Sequence, residues 1–346
     1  MWFGGGPIDA AGALRGFVRE AGGCAVVDGG LGTELEAHGA DLHDALWSAK
    51  CLASAPHLIR KVHLDYLEAG ADVIISASYQ ATIEGFQSRG FSRDESEELL
   101  RRSVHVAQEA RRVFAAEGDR SSRRGRPPAL VAASVGSYGA YRADGSDGDY
   151  GKSMTKEDLK NFHRRRLQVL AGAGPDLIAF ETIPNKLEAQ VYAELLEENG
   201  IRIPAWFSFT SKDGVNAASG DPINECAAVA DSCPRVDAVG VNCTAPRFIH
   251  GLILSIKKVT SKPIVVYPNS GETDNNELAL GRSFHALQDS DGATGTDDFV
   301  SRVGEWRRAG AALIGGCCRT SPATVRAIAR AVREAEYDDI PAVAVL

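Results

Sequence analysis

The sequence predicts a single α/β domain in which eight strand–helix units close into a (β/α)8 barrel, the TIM-barrel architecture. Eight short apolar runs alternate with longer amphipathic segments, a pattern typical of a parallel sheet covered by helices. The runs are continuous in valine, isoleucine and alanine, as expected of parallel strands buried on both faces. An open doubly wound sheet is the alternative, but no Gly-x-Gly-x-x-Gly follows the first strand. We therefore expect one barrel domain over residues 1–346.

The elements follow in order after a short N-terminal helix that carries Leu14, Phe17 and Val18. The predicted strands cover residues 25–28, 73–78, 130–135, 177–181 and 205–209, a run ending at Cys243, residues 264–267, and a run ending at Cys317. The predicted helices cover about 58–70, 94–116, 156–173, 186–199 and 223–232, a segment after Pro246, 297–309, and a segment from Pro322. Thr155 and Asp158 form an acidic variant of the capping box at the start of one of these helices.

The barrel prediction indicates where a functional site would lie. In barrels of this type, the active site is built at the carboxyl ends of the strands. Two long segments, 138–151 and 269–295, follow the third and seventh strands at that end. Loops of this length in a compact domain are usually lids or binding loops.

Composition limits the partners and the compartment. The chain has 38 basic and 46 acidic residues and a net charge of −8, which disfavours nucleic acid or an anionic membrane as the main partner. No apolar run approaches the roughly 20 residues of a membrane span, and no secretory signal is visible at the N-terminus. The seven cysteines lie within or beside apolar runs, which indicates a reducing compartment such as the cytoplasm.

Three of the cysteines stand at predicted strand ends. Cys243 ends the sixth strand, and Cys317 and Cys318 end the eighth after two glycines. Adjacent side chains of an ideal strand point to opposite faces, so we expect the two glycines to supply backbone angles that let both sulfurs reach one site. Three thiolates with an open fourth position are typical of a catalytic zinc site.

Two simpler interpretations of these cysteines remain open. A free cysteine is most often a small buried hydrophobic residue. Cys317 and Cys318 are alternatively a strained, redox-active disulfide.

A three-thiolate zinc site favours binding of a substrate thiol as its nucleophilic thiolate. The reaction implied is attack by that thiolate on an electrophilic carbon. Asp28 and Glu181, carboxylates at the ends of buried strands, are candidates to hold the ammonium group of an amino-acid thiol, although each is also placed to cap a following turn. Asn242 is a candidate hydrogen-bonding neighbour of the metal site.

Aromatic residues near the strand ends are candidates to contact a cationic donor. Tyr79, Tyr138 and Tyr267 lie at or just after such ends, and an aromatic face attracts a sulfonium cation through the cation–π interaction. For each tyrosine taken alone, packing in the core is the alternative role.

With these residues in view, the chain resembles the homocysteine S-methyltransferase family over nearly its whole length. The most specific stretches are Gly240-Val241-Asn242-Cys243 and Gly315-Gly316-Cys317-Cys318. Glu181-Thr182 and Ser78-Tyr79-Gln80 also match the family pattern. The resemblance implies a Zn2+ ion held by Cys243, Cys317 and Cys318, with homocysteine supplying a further sulfur. It also implies a substrate site that includes Asp28, Glu181, Ser78, Tyr79 and Asn242.

The resemblance is strongest to the single-domain plant branch, which takes its methyl group from S-methylmethionine and uses S-adenosylmethionine less well. Selenocysteine methyltransferases are close relatives of that branch, so selenocysteine is the alternative acceptor. The expected mechanism is direct displacement, with methionine as the product. Because no dimerisation extension is visible, the expectation is a monomer.

Two functions of other classes are alternatives to methyl transfer. Barrel lyases and aldolases often place a lysine inside the barrel for Schiff-base chemistry, but none of the eight predicted strand cores contains a lysine. A non-catalytic thiol redox sensor, with Cys317 and Cys318 as its disulfide pair, is the other alternative.

Overall fold

The computed structural model describes residues 12–44, 46–117, 126–142, 148–151, 154–270 and 299–338. Within them, eight parallel strands form one sheet in the order β1-β8-β7-β6-β5-β4-β3-β2. The strands are β1 Ala25–Val26, β2 Val73–Ile75, β3 Leu130–Gly136, β4 Leu177–Ile183, β5 Ala205–Phe209, β6 Val236–Asn242, β7 Ile264–Tyr267 and β8 Ala311–Ile314.

The sheet closes between β1 and β2. A parallel bridge joins Val27 to Val73, and the backbone N–H of Asp28 donates to the carbonyl of Val73 over 3.0 Å. On the other side of this contact, the N–H of Asp72 donates to the carbonyl of Val26 over 2.7 Å. The predicted (β/α)8 barrel is therefore confirmed.

Helices surround the strands in the positions that the sequence pattern predicts. The main ones are Pro56–Ala69, Arg93–Glu117, Lys156–Gly172, Lys186–Glu198, Ile223–Ser232, Pro246–Ile256, Val303–Ala309 and Pro322–Asp338. Shorter helices that were not predicted lie in the loops at Leu31–Ala37, Lys50–Ser54, Ile83–Gln87 and Tyr138–Arg142, with a 3-10 turn at Trp47–Ala49. The predicted capping box at Thr155 and Asp158 is present. Most of the long segment after β7, and residues 297–298 of the predicted seventh helix, lie outside the described residues.

Two hydrophobic cores lie on the two faces of the sheet. The inner core fills the barrel with strand residues such as Leu130, Trp206 and Leu313. The outer core packs alternate strand residues, such as Ile74 and Val131, against the helices. Each strand thus buries both faces, which explains why the strands read as continuous apolar runs.

The N-terminal helix Ala13–Glu20 closes one end of the barrel. Its Leu14 and Phe17 are buried within the inner core. The carboxylate of Asp237, just inside β6, accepts hydrogen bonds from the backbone N–H groups of Gly12 and Leu14. These bonds satisfy N–H groups that a helix leaves unpaired at its start. Because this helix blocks the amino end of the strands, a ligand has access from the carboxyl end.

Three strands end two or three residues earlier than predicted, namely β1 at Val26, β2 at Ile75 and β8 at Ile314, and β6 ends one residue earlier, at Asn242. Val27 and Asp28 still pair with Val73 beyond the end of β1. The segments that follow these strands build the carboxyl end of the barrel.

No helix in the described ranges is both long and apolar enough to cross a bilayer.

Candidate metal and substrate site

Three cysteine sulfurs meet at the carboxyl end of the barrel. Cys243 follows β6, and Cys317 and Cys318 lie three and four residues after the end of β8. The Sγ atom of Cys318 lies 3.8 Å from that of Cys243 and 4.0 Å from that of Cys317. All three Sγ atoms lie within 4.8 Å of one another, and all seven cysteines of the chain are free thiols.

The spacing of the three sulfurs fits a tetrahedral metal ion. Sulfur ligands about 2.3 Å from a tetrahedral zinc lie about 3.8 Å from each other. The Sγ–Sγ separations of 3.8 and 4.0 Å match that value, whereas a disulfide needs about 2.05 Å. The donor set and its spacing therefore fit zinc, with a fourth position left for another ligand.

Left-handed backbone geometry directs the sulfurs, although not at the residues expected. Cys243 has φ 50° and Arg319 has φ 62°, in a region that non-glycine residues rarely adopt. Gly315 and Gly316 are not among the described residues with positive φ, so the expectation that they supply unusual angles was wrong. Glycine is needed there for space, since a Cβ on Gly316 would lie 2.3 Å from Thr320 Oγ1 and one on Gly315 would lie 2.7 Å from the carbonyl oxygen of Asp28.

The pKa values of the neighbouring thiols shift in opposite directions. Hydrogen bonds to Cys243 and Cys318, together with burial, raise the pKa of the Cys317 thiol well above its ordinary value. Hydrogen bonds from Cys243 and Cys317 lower the pKa of Cys318 well below its ordinary value. The opposite directions indicate that ionisation of one thiol opposes ionisation of the others, and a bound cation would offset that repulsion.

A cavity of about 110 Å³ that opens to solvent lies beside the cysteines. Its polar lining includes Asp28, Ser76, Tyr79, Glu181, Thr182 and Asn242, and its other walls include Gly29–Thr33, Trp47 and Tyr267. Cys243, Cys317 and Cys318 complete the lining. The cavity therefore brings the predicted metal ligands next to most of the predicted substrate residues.

Both predicted carboxylates lie in this cavity and are almost completely buried. Asp28 is 3% exposed and Glu181 is 8% exposed. Burial raises the pKa of Asp28 well above its usual range, against the opposing effect of the hydrogen bond from the N–H of Ile75. Burial likewise raises the pKa of Glu181 to about 7, although hydrogen bonds from Ser134 and Tyr267 favour the charged form. Two buried carboxylates facing one cavity provide a binding site for a cation.

Ser78 lies behind the cavity rather than in its lining. Its side chain is fully buried, and its hydroxyl donates to the carbonyl of Ser134 over 2.8 Å. Ser76, two residues earlier, lines the cavity instead. Ile74 packs in the outer core, so strict alternation would put both Ser76 and Ser78 on that side of the sheet. Ser78 follows this pattern, whereas Ser76, just after the end of β2 at Ile75, departs from it.

Asn242 binds the end of a different strand. Its Oδ1 accepts from the N–H of Thr182 and from the hydroxyl of Ser208, each over 2.8 Å. Its Nδ2 donates to Thr182 Oγ1 over 2.8 Å. Thr182 has φ 56°, so the side chain of Asn242 holds a strained residue directly after Glu181.

The candidate aromatic residues separate into two groups. Tyr79 and Tyr267 line the cavity. Tyr138 instead packs edge-on against Tyr150 and Phe162, with ring centroids 5.2 and 4.9 Å away, and it is absent from the described lining of the cavity.

Trp47 is a cavity residue that the sequence interpretation missed. It lines the cavity and has φ 45°. Its ring lies so close to Gly32 that a Cβ there would come within 2.2 Å of it. The available signal was an aromatic residue in the segment after the first strand, on the active side of the barrel.

A second cluster of possible ligands lies on the helical surface. Glu34, His38 and Asp65 bring their ligand atoms within 4.8 Å of one another. The ammonium group of Lys61 already pairs with Asp65, and His38 Nε2 lies 2.7 Å from the same carboxylate. This cluster is therefore explained as a surface ion-pair network.

Comparison with known proteins gives a consistent result. The sequence model of a family described as homocysteine S-methyltransferase matches residues 25–332. A Zea mays protein named homocysteine S-methyltransferase 4 is 95% identical over 100% of both chains. The selenocysteine methyltransferase of Astragalus bisulcatus is 59% identical and covers 90% of this chain and 93% of its own.

A solved structure has the same fold. The metallated form of the Escherichia coli homocysteine methyltransferase MmuM superimposes with a TM-score of 0.78 at 40% identity, over 92% of this chain and 99% of that one.

Proposed function

The chain belongs to the homocysteine S-methyltransferase family, and on that premise we propose that it is a zinc-dependent enzyme that methylates L-homocysteine to methionine. We propose S-methylmethionine as the donor, with S-adenosylmethionine as a second, poorer one. The observation that carries the proposal is the convergence of three Sγ atoms at 3.8 and 4.0 Å beside a cavity with two buried carboxylates. Cys243, Cys317 and Cys318 would hold the zinc, and the whole chain acts as one homocysteine-binding barrel domain.

The chemistry needs the thiolate form of the acceptor. Zinc bound by the three cysteines would lower the pKa of the acceptor thiol, so that its sulfur is a thiolate at neutral pH. The acceptor sulfur then attacks the methyl carbon of the sulfonium donor. The new carbon–sulfur bond forms as the donor's bond breaks, and the electron pair of that bond stays on the donor sulfur, which becomes a neutral thioether.

Asp28 and Glu181 are proposed to bind the ammonium group of the acceptor. Both carboxylates are buried in the cavity, and their raised pKa values record the cost of keeping charge there without a partner. An ammonium group between them would offset that cost. Ser134 and Tyr267 would orient Glu181 through their hydrogen bonds to it.

The remaining cavity residues are proposed to enclose the reacting atoms. Tyr79 and Tyr267, which the sequence indicated, and Trp47 would offer aromatic faces to a cationic donor. Tyr79 lines the cavity together with Cys243 and Glu181, so it would also border the acceptor. Asn242 lines the cavity and would act through Thr182, whereas Ser78 would act from behind the lining through the backbone of β3. The donor loses its positive charge during the transfer, and a water-poor wall favours that change.

Two alternatives remain as outcomes of the test. Selenocysteine is the alternative acceptor, because relatives named selenocysteine methyltransferase share 59% of the sequence. A thiol redox sensor is the alternative of another class, because Cys317 and Cys318 are adjacent free thiols. The monomeric state and the cytoplasmic location stay predictions.

The experiment is a matrix of methyl-transfer assays. Homocysteine and selenocysteine serve as acceptors, and S-methylmethionine, S-adenosylmethionine and betaine serve as donors. We expect the highest kcat/KM with homocysteine and S-methylmethionine, and loss of turnover in Cys317→Ser. Cys226→Ser, at a buried thiol in helix Ile223–Ser232, is the matched control and should keep full activity. An enzyme that is fully active without zinc would contradict the proposal.

A further inference from the structure

A buried arginine lies behind the cavity without an acidic partner in the described part of the chain. Arg166, on helix Lys156–Gly172, is 1% exposed and is among the largest fully buried side chains. Its neighbour Arg165 is instead 46% exposed and pairs with Glu97. A buried guanidinium is costly unless its donors are satisfied, so the groups that satisfy Arg166 indicate its role.

The two terminal nitrogens of Arg166 donate to backbone carbonyls at the end of β3 and in the turn after β2, while its Nε has no partner in the described part of the chain. Nη1 donates to the carbonyl of Gly136, the last residue of β3, over 2.8 Å. Nη2 donates to the carbonyls of Ser78 and Tyr79, each over 2.7 Å. One planar cation thus ties the turn after β2 to the end of β3.

That turn places an aromatic ring in the cavity. Tyr79 lines the cavity together with Cys243 and Glu181, and its backbone crosses directly over Gly136. A Cβ on Gly136 would lie 2.3 Å from the carbonyl oxygen of Tyr79 and 2.7 Å from its ring. The position of the Tyr79 ring therefore depends on two features outside the cavity, the bonds from Arg166 and the missing side chain at Gly136.

We propose that Arg166 is a positioning residue for substrate binding, because its guanidinium fixes the turn at Ser78 and Tyr79 and so holds the Tyr79 ring in the cavity wall. This inference rests on the proposed function of the cavity. Arg166 does not line the cavity, so the effect of its hydrogen bonds on the acceptor passes through Tyr79. Against the larger effect of burial, its charge also lowers the pKa of Glu181, and Arg166→Lys keeps that charge. A merely structural arginine would change the amount of folded protein and leave substrate affinity unaltered.

The test is a double-mutant cycle on the zinc-loaded enzyme. The variants are Arg166→Met, Tyr79→Ala and the double variant, with Arg166→Lys as the conservative change and Arg165→Met as the control on the same helix. Arg166→Met is expected to raise the KM for homocysteine about tenfold, the size of a lost charged hydrogen bond that holds a binding group. Its kcat per bound zinc should change by less than about threefold.

The KM of the double variant decides between the two roles. It should be no higher than the KM of Tyr79→Ala alone, because the hydrogen bonds of Arg166 have no ring to position once Tyr79 is replaced. Arg166→Lys should recover part of the affinity, and Arg165→Met should match the wild type. Effects of the two substitutions that multiply, or an Arg166→Met enzyme with unchanged KM, would overturn the inference.

If Arg166→Met does not fold, Gly136→Ala provides a second test. Gly136→Ala pushes on the same backbone without removing the cation, and it is expected to raise the KM for homocysteine in the same way. An unchanged KM in Gly136→Ala would overturn the inference when Arg166→Met is insoluble.

Failure of the proposed function would look different. A wild-type enzyme that transfers no methyl group to homocysteine refutes the proposed function alone. Arg166 is then judged from a crystal structure of Arg166→Met, in which a Tyr79 ring in its wild-type position would overturn the inference and a displaced ring would support it.

Discussion

The side chain of Asn242 makes two hydrogen bonds to Thr182 that join the ends of β6 and β4. Its Oδ1 accepts from the N–H of Thr182 and its Nδ2 donates to the hydroxyl of Thr182, while a third bond, from the hydroxyl of Ser208, ties the same amide to β5. Asn242 precedes Cys243 and Thr182 follows Glu181, and both Cys243 and Thr182 have left-handed backbone angles. This contact therefore sets the proposed ammonium-binding carboxylate relative to a proposed metal ligand.

Replacing Asn242 with alanine should weaken both the fold and the binding of homocysteine. The substitution leaves the buried donors of Thr182 and Ser208 without an acceptor, which costs about 3 kcal/mol in the free energy of unfolding. We also expect a several-fold rise in the KM for homocysteine with zinc content retained. Urea unfolding and steady-state kinetics measure the two effects. Asn216→Ala, in a surface loop where the side chain bonds Asp213, should leave both unchanged.

Homocysteine affinity should depend on the ionisation of Glu181. Because burial raises the pKa of this carboxyl to about 7, it is largely protonated below that pH and cannot pair fully with an ammonium group. The KM for homocysteine should therefore rise as pH falls from 8 to 6. Glu181→Gln should raise KM and flatten this part of the profile. A wild-type KM that is constant across the range would contradict the role given to Glu181.

The same raised pKa makes a prediction for stability. The folded state holds the proton of Glu181 more tightly than the unfolded state does, since the ordinary value is 4.5. Its contribution is fully present below pH 4.5 and is lost as pH rises through about 7. The Glu181→Gln variant should therefore gain stability relative to the wild type between pH 5 and 8 in urea unfolding.

His63 should make the fold sensitive to acid. It is fully buried on helix Pro56–Ala69, and neither ring nitrogen has a hydrogen-bond partner within the described ranges. Burial lowers its pKa from 6.5 to about 4, so its contribution to stability is present above pH 6.5 and is lost as pH falls towards 4. The slope should approach about 1.4 kcal/mol per pH unit.

The matched variants separate His63 from general acid denaturation. His63→Met should flatten the fall in unfolding free energy between pH 6.5 and 4.5, because the buried group no longer titrates. His105→Met, at an exposed position of helix Arg93–Glu117, should leave it intact. Identical slopes in the wild type and His63→Met would refute the assignment.

The barrel was predictable because its signal is local and repeated. Strands buried on both faces give continuous apolar runs, and each helix carries its own period and caps, as Thr155 and Asp158 show. The meeting of Cys243 with Cys317 and Cys318 followed from the rule that parallel strands end at the same edge. The structure brings the three sulfurs together, and their role as metal ligands stays a prediction.

The details that escaped prediction depend on contacts between distant parts of the chain. Asn242 and Thr182 come from β6 and β4, which are not neighbours in the sheet, so their contact depends on the curvature of the barrel. Ser78 was expected in the substrate site from its place at the predicted end of β2 and from the family resemblance. Its hydroxyl instead donates to the carbonyl of Ser134, behind the lining of the cavity.

Arg166 was missed for a different reason. It stands in a run of three arginines, which by composition indicates a solvent-exposed surface. Its helical spacing from Leu159, His163 and Leu170 places it on the buried face. The helical period therefore indicated a buried position for Arg166, whereas the arginine-rich composition indicated an exposed one.

The proposed function depends most on three cysteines that hold zinc and leave one position for the acceptor sulfur. X-ray absorption at the zinc edge counts sulfur ligands and tests this coordination directly. The expected result is about one zinc per chain with three sulfurs at about 2.3 Å from the protein, rising to four when homocysteine is added. Zinc should be lost in Cys243→Ser, Cys317→Ser and Cys318→Ser, and retained in Cys226→Ser. A sulfur count that does not change with homocysteine, or full zinc content in Cys317→Ser, would contradict the central claim.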